Sequence, residues 1–152
     1  MEQLLVNFKM EGYETYADRD LTKLRAYVNL VSKACGVVIP PDHPIVGANA
    51  FRTSTGIHAA AVIKAKKMGG DWLADRVYSS VPAEELGLGQ IIEVGPQSGK
   101  CNVQYWLMQH GLEKYANDDR VVNHILEAVK HEDRVLYEHE LFELTNAQQM
   151  IA

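Results

Sequence analysis

Cysteine is scarce in this chain. The two thiols, Cys35 and Cys101, lie far apart and neither has a Cys-x-x-Cys partner, so the expectation is buried free thiols in a reducing cytoplasm. Long apolar runs are missing too. None approaches the roughly 20 residues needed to cross a bilayer, and the first residues lack the basic-then-apolar layout of a signal peptide. Clustered cations are also missing: the net charge is −5 and no Lys/Arg stripe occurs. That argues against nucleic acid and anionic membranes as partners, because counterion release needs grouped positive charge. There is no internal repeat and no low-complexity linker.

What is present is ordinary globular material. The 152 residues can bury one good core or two small ones, and 47% hydrophobic with 23% charged residues is an average balance. The periodicity predicts a mainly α protein with one or two short β-strands. "MEQLLVNFKMEG" spaces Leu4, Leu5 and Phe8 as on a helix, without an N-cap, and reads as a helix whose preceding element is missing. "DLTKLRAYVNLVSKACG" predicts a helix capped by Asp20, with Leu21, Leu24, Val28, Val31 and Cys35 in one stripe and Gly36 as the stop. Pro40, Pro41 and Pro44 then force an extended segment and place a soft boundary between Ile39 and Pro44. "STGIHAAAVIKAKKMGG" is a second helix, capped by Ser54 or Thr55 and closed by Gly69-Gly70. Short helical turns follow at "DWLADRVYSS", with Asp71 as cap, and at "PAEELG", with Pro82 in the first helical position. The one convincing strand is Gln90 to Val94, and further helices run over about 99–110, 118–130 and 138–149.

The stretch "IIEVGPQSGKCNVQYWL" has the layout of a phosphate-binding loop: strand, glycine-rich turn, Lys, helix. The motif needs four residues between its first glycine and the Gly-Lys pair, then Ser or Thr to reach magnesium. Gly95 and Gly99 are separated by three residues, and Cys101 follows Lys100. The ring of N–H groups would be one residue short and the metal-reaching hydroxyl is absent. The stretch is expected to be a strand-to-helix turn with Ser98 as N-cap.

Six histidines are candidates for chemistry. His110, His124, His131 and His139 lie on polar helical segments without the pairing that a zinc site needs, and are expected to be solvated or partly packed. His43, in the proline loop, is undetermined. His58 stands apart: it opens a helix beside Gly56, in a run of small residues (Ala59, Ala60, Ala61) that lets another surface approach. The positive end of the helix dipole disfavours the imidazolium, so a neutral, exchange-competent ring is expected, beside the simpler reading of a packed histidine. No Ser-His-Asp or Cys-His arrangement occurs, and the acidic residues sit among basic neighbours on solvated helix faces, so no metal site is expected in this chain.

"PIVGANAFRTSTGIHAAAVIKA" resembles the piece that follows the catalytic barrel in 2-isopropylmalate synthases and the related homocitrate and citramalate synthases. Gly47, Asn49, Ala50, Phe51, Gly56, Ile57 and His58 match the family's G-x-N-A-F-x-x-x-S-G-I-H. The family's glutamate is Ser54 here, and its serine is Thr55. "DRVYSSVPAEELG" and "EVGPQSGKCNV" resemble the family's Tyr-containing segment and its Ser-Gly-Lys element. The resemblance implies helical accessory subdomains that follow a TIM barrel: residues 1–38 as the barrel's terminal helix plus a first helical subdomain, and 39–152 as a second with a short strand.

The resemblance also implies a chemistry, the Claisen condensation of acetyl-CoA with a 2-oxo acid in amino-acid biosynthesis, of which leucine biosynthesis is one case. The divalent metal and the acetyl-CoA would belong to a barrel that this chain lacks; no cofactor is expected here. In the family the subdomains reach across a homodimer and lay a His and a Tyr over the partner's active site, by motif His58 and Tyr78. The chain is then an accessory region inactive alone, its partners its own barrel and a second copy. The alternative is a stand-alone helical dimerisation module without catalysis.

Overall fold

A computed structural model describes residues 1–149; residues 150–152, the end of the expected second segment, lie outside it. The architecture is mainly helical, as the periodicity predicts. Chain order is α1 (Glu2–Met10), α2 (Glu14–Ala17), α3 (Leu24–Cys35), β1 (Arg52–Thr53), α4 (Gly56–Val77), a 3-10 turn (Ala83–Leu86), β2 (Ile91–Ile92), α5 (Lys100–Gln109), α6 (Glu113–Ala116), α7 (Asp119–Lys130) and α8 (Glu138–Gln149). Among the described residues, no helix is long and apolar enough to cross a membrane.

Three apolar clusters hold these elements. The largest wraps α5, α6 and α7. Val121, Val122, Ile125, Leu126 and Val129 line one face of α7 and meet Val103, Trp106 and Leu107 of α5, with Leu141 of α8 closing the end. The spacing of those five residues is the three- and four-residue repeat that turns one helix face into core. The Asp118 carboxylate caps α7 through the Arg120 N–H. A second cluster joins Val6 of α1 and Leu21 and Leu24 before and in α3 to Ile45, Val46 and Leu86, so it draws on both sides of the proline segment. A third packs α4 on β2 through Ala59, Val62, Ile63, Ala74 and Ile92.

Several boundaries differ from expectation for local reasons. The helix expected from Asp20 starts at Leu24. Asp20 accepts instead from the Thr22 N–H at 2.9 Å and the Thr22 hydroxyl at 2.6 Å, closing a turn rather than capping a helix. Gly36 does end the helix, in the left-handed conformation at φ 68°. The α3 stripe is only half covered: Leu21 and Leu24 are buried, whereas Val31 is exposed. Cys35 is a free thiol but an exposed one, contrary to the expected burial, and Cys101 is half-buried. Tyr27, Leu30 and Val31 of this helix are therefore uncovered apolar residues, as is Val38 just beyond it. Pro82 is the N-cap of the 3-10 turn, one position earlier than expected.

The strand expected at 90–94 is the two-residue β2, and β1, whose position the sequence does not mark, is its parallel partner. Two residues inside a turn-rich motif offer no alternation to read. Ile91 N–H donates to Phe51 O and Glu93 N–H to Thr53 O, each at 2.9 Å. Phe51 enters this ladder at φ 65°, a left-handed conformation that is costly for a bulky side chain.

At the start of α8, Glu140 accepts two bonds from the Arg134 guanidinium and one from the Tyr137 N–H. Those partners, the guanidinium foremost, hold its carboxyl down to about 2. A depressed carboxylate stabilises the fold above its unfolded pKa, and that contribution fades as pH falls toward the folded value. Thermal melts below about pH 4.5 should therefore lose stability faster in the native chain than in Glu140→Gln; parallel curves would detach Glu140 from acid sensitivity.

Candidate functional site

Gly56 opens α4 against Gly99, the residue before α5. A Cβ placed on it would lie 2.8 Å from Gly99 N, so only glycine lets the two helix ends touch through backbone. The Gly95–Asn102 loop fastens this junction. Gly56 N–H donates to Gln97 O at 2.9 Å, the Ser98 hydroxyl donates to Ser54 O at 2.6 Å, and the Asn102 amide donates to Ser54 O at 3.0 Å and Glu93 O at 2.9 Å. Ser98 was expected to cap α5 from its place before Gly99-Lys100, and it does not. The cap is Gly99, whose N–H donates to the Asn102 side chain at 3.1 Å. Lys100 pairs with Asp119 at 2.9 Å. The loop that looks like a phosphate cradle is a buckle holding the start of α4.

That start presents His58. It lies in the first turn, exposed, with its Nδ1 3.5 Å from the Thr55 hydroxyl. Ile57 beside it is 80% exposed, and the Ala59 behind it is buried. Twenty positions later, Tyr78 ends α4, half-exposed. On an unbroken helix, twenty residues would span about 30 Å. The rings of His58 and Tyr78 instead lie 4.5 Å apart between centroids, tilted by 34°.

The cause is the Gly69-Gly70 pair, where the helix breaks as the sequence predicts. Gly69 sits at φ −140°, ψ 20° and Gly70 at φ 67°, ψ −161°, outside helical space. The chain turns back through this bend, and Lys66 pairs with Asp71 across it at 2.8 Å. The returning segment is held by Arg76, which bonds Glu84 at 2.6 Å and lies over the Trp72 ring at 4.6 Å. The structure thus brings together the two residues that the sequence reading singles out. An imidazole beside a phenol, both reachable from solvent, can pass or hold a proton for a molecule laid over them. The Thr55 hydroxyl and the hairpin geometry were not foreseen; the Gly-Gly dipeptide was the available signal and read only as a helix end.

Of the remaining histidines, His110 and His43 make structural contacts. His110 stacks on Trp106 with centroids 4.2 Å apart, and its Nδ1 lies 2.8 Å from Trp106 O. His43 Nε2 lies 3.1 Å from Glu2. His124 is half-buried, His131 and His139 exposed. A cleft of about 630 Å³ opens elsewhere, beside Arg52, Lys66, Tyr105 and His110, and contains neither His58 nor Tyr78. Its charges are already matched, Arg52 with Glu93 and Lys66 with Asp71. Among the described residues, no group of three or more His, Cys, Asp or Glu side chains is placed to hold a metal ion.

Comparison with known proteins adds a second line of observation. No family model matches the chain. Individual relatives do. A homocitrate synthase of Pyrococcus horikoshii is 34% identical over 72% of this chain and 27% of its own length. A probable 2-isopropylmalate synthase of Ignicoccus hospitalis is 37% identical over 66% of the chain and 22% of its own. A 2-isopropylmalate synthase of Halalkalibacterium halodurans is 28% identical over 97% of the chain and 28% of its own. The chain therefore spans about a quarter of the length of these relatives.

Proposed function

Because the chain belongs to the 2-isopropylmalate and homocitrate synthase family, we propose that it is the accessory region of such an acyltransferase, supplying His58 and Tyr78 to the active site of a partner subunit. The observation that carries this reading is the 4.5 Å ring contact between two residues twenty positions apart, exposed on a surface of small and apolar neighbours. A core histidine would be enclosed by its own chain; this one faces outward.

The chemistry follows from what the pair can do. In the condensation, the acetyl methyl group must lose a proton before its carbon attacks the 2-oxo carbon. A neutral His58 nitrogen can accept that proton, and the Tyr78 hydroxyl can donate a hydrogen bond to the thioester oxygen, where negative charge develops. Polarising the 2-oxo acid is the task of a divalent metal, and the described residues of this chain do not fit one. That task falls to the barrel.

Two outcomes test the proposal at the level of this chain. Incubated with acetyl-CoA and 2-oxoisovalerate, pyruvate or 2-oxoglutarate, the chain alone should release no thiol; metal-dependent turnover with any of them would sink the accessory reading. The chain should also self-associate at micromolar concentration through uncovered apolar surface such as Leu30 and Val38, which are 67% and 85% exposed. Sedimentation showing a clean monomer, unchanged by Leu30→Asp, would count against it. The same apolar edge favours the alternative of a non-catalytic interaction module. That module predicts association without any dependence on His58.

A further inference from the structure

Asp75 is a charged side chain that the proposed chemistry does not use, yet it is only 2% exposed. Burying a carboxylate is costly unless it is given partners. Its partner is the Glu84 N–H, which donates to Asp75 Oδ2 at 2.8 Å. Glu84 lies in the first turn of the 3-10 segment, where backbone N–H groups have no partner within the turn, and Pro82, the N-cap, offers no side-chain acceptor. Asp75 fills that vacancy from across a nine-residue gap. Arg76, its neighbour, bonds the Glu84 side chain at 2.6 Å, so both groups of Glu84 are tied to the same end of the return helix. Beyond this clasp, Ser79 accepts from the Gln90 side chain at 2.6 Å. Tyr78 sits in the loop between these fastenings.

We propose that Asp75 is a positioning residue for Tyr78: its carboxylate closes the base of the 78–83 loop and so holds the phenol against His58. The inference rests on the reading of His58 and Tyr78 as a working pair, but its test reads ring contact and not turnover. A catalytically silent pair would leave it standing.

The experiment is done on this chain with 13C-labelled histidine. His58 ring signals are compared in the native protein, Asp75→Ala, Tyr78→Leu and the double variant. The expected result is that Asp75→Ala moves the His58 signals to their positions in Tyr78→Leu, with no further movement in the double variant. Asp75→Asn, which keeps an acceptor oxygen, should fall nearer the native positions. Native His58 signals in folded Asp75→Ala would overturn the proposal. So would an equal displacement in the Tyr78→Leu background, since Asp75 would then act on His58 by another route. Should Asp75→Ala fail to fold, hydrogen exchange on the native chain decides: the Glu84 amide is expected to be protected along with the core amides, and exchange at the free-loop rate would overturn the clasp.

Discussion

Changing His58 to Asn is expected to lower kcat by about 100- to 10,000-fold in a synthase that carries this region, with little change in 2-oxo acid binding. Asparagine keeps a similar size and a hydrogen-bonding group but cannot accept and release a proton near neutral pH. The side chain is exposed and its one ring contact, with Tyr78, lies at the surface, so the fold should change little. That separation of turnover from stability is the signature to look for. A histidine kept for packing would show the reverse, a lower Tm with near-normal kcat in whatever folds. Tyr78→Phe belongs beside it, because phenylalanine preserves the ring face that meets His58 at 4.5 Å and removes only the hydroxyl. A smaller fall in kcat is expected there, consistent with loss of one hydrogen bond to developing charge.

The second large effect is expected at Gly70. At φ 67°, ψ −161° the backbone is in a region open to glycine and closed to other residues, so valine there must either pay about 1–3 kcal/mol in strain or straighten the bend. A loss of that size lowers Tm by roughly 2–4 °C per kcal/mol in a domain of this length. The informative part is the site: if the bend opens, Tyr78 leaves His58, and the His58 ring signals should move as in Tyr78→Leu. Gly89→Ala is the control, since an added Cβ at Gly89 meets nothing within 4 Å and its φ is not positive. Gly70→Val with native stability and native His58 signals would remove the bend from the account.

Much of this was legible in the sequence where the signal is local. The helix expected over about 118–130 is α7, and Gly36 ended α3 where expected. The Gly69-Gly70 break was legible as an interruption. Its direction was not, because the turn angle lies in the dihedrals of Gly70 and in the contacts of the returning segment. Ser98 shows the same limit: next to Gly99-Lys100 it reads as a cap, but its hydroxyl bonds Ser54 O, 44 positions away. Asp20 was misassigned because a carboxylate that can cap a helix can equally close a turn on its own neighbour. The outer face of α3 was read as part of a core stripe, and periodicity alone cannot say whether a stripe is covered by the same chain or by another. His58 and Tyr78 were paired through the resemblance, and no spacing rule would have joined residues twenty apart.

The central claim is that His58 serves a neighbouring subunit. The direct measurement uses the Halalkalibacterium halodurans relative with its matching segment replaced by this chain. One version carries His58→Asn; the other keeps His58 but is inactivated in the barrel to which the family resemblance assigns the metal. Each alone should be nearly inactive. Unfolded and refolded together, they should regain turnover, because a mixed dimer joins an intact barrel to an intact His58 from the other subunit. Mixed dimers that form and remain as inactive as their parents would contradict the account.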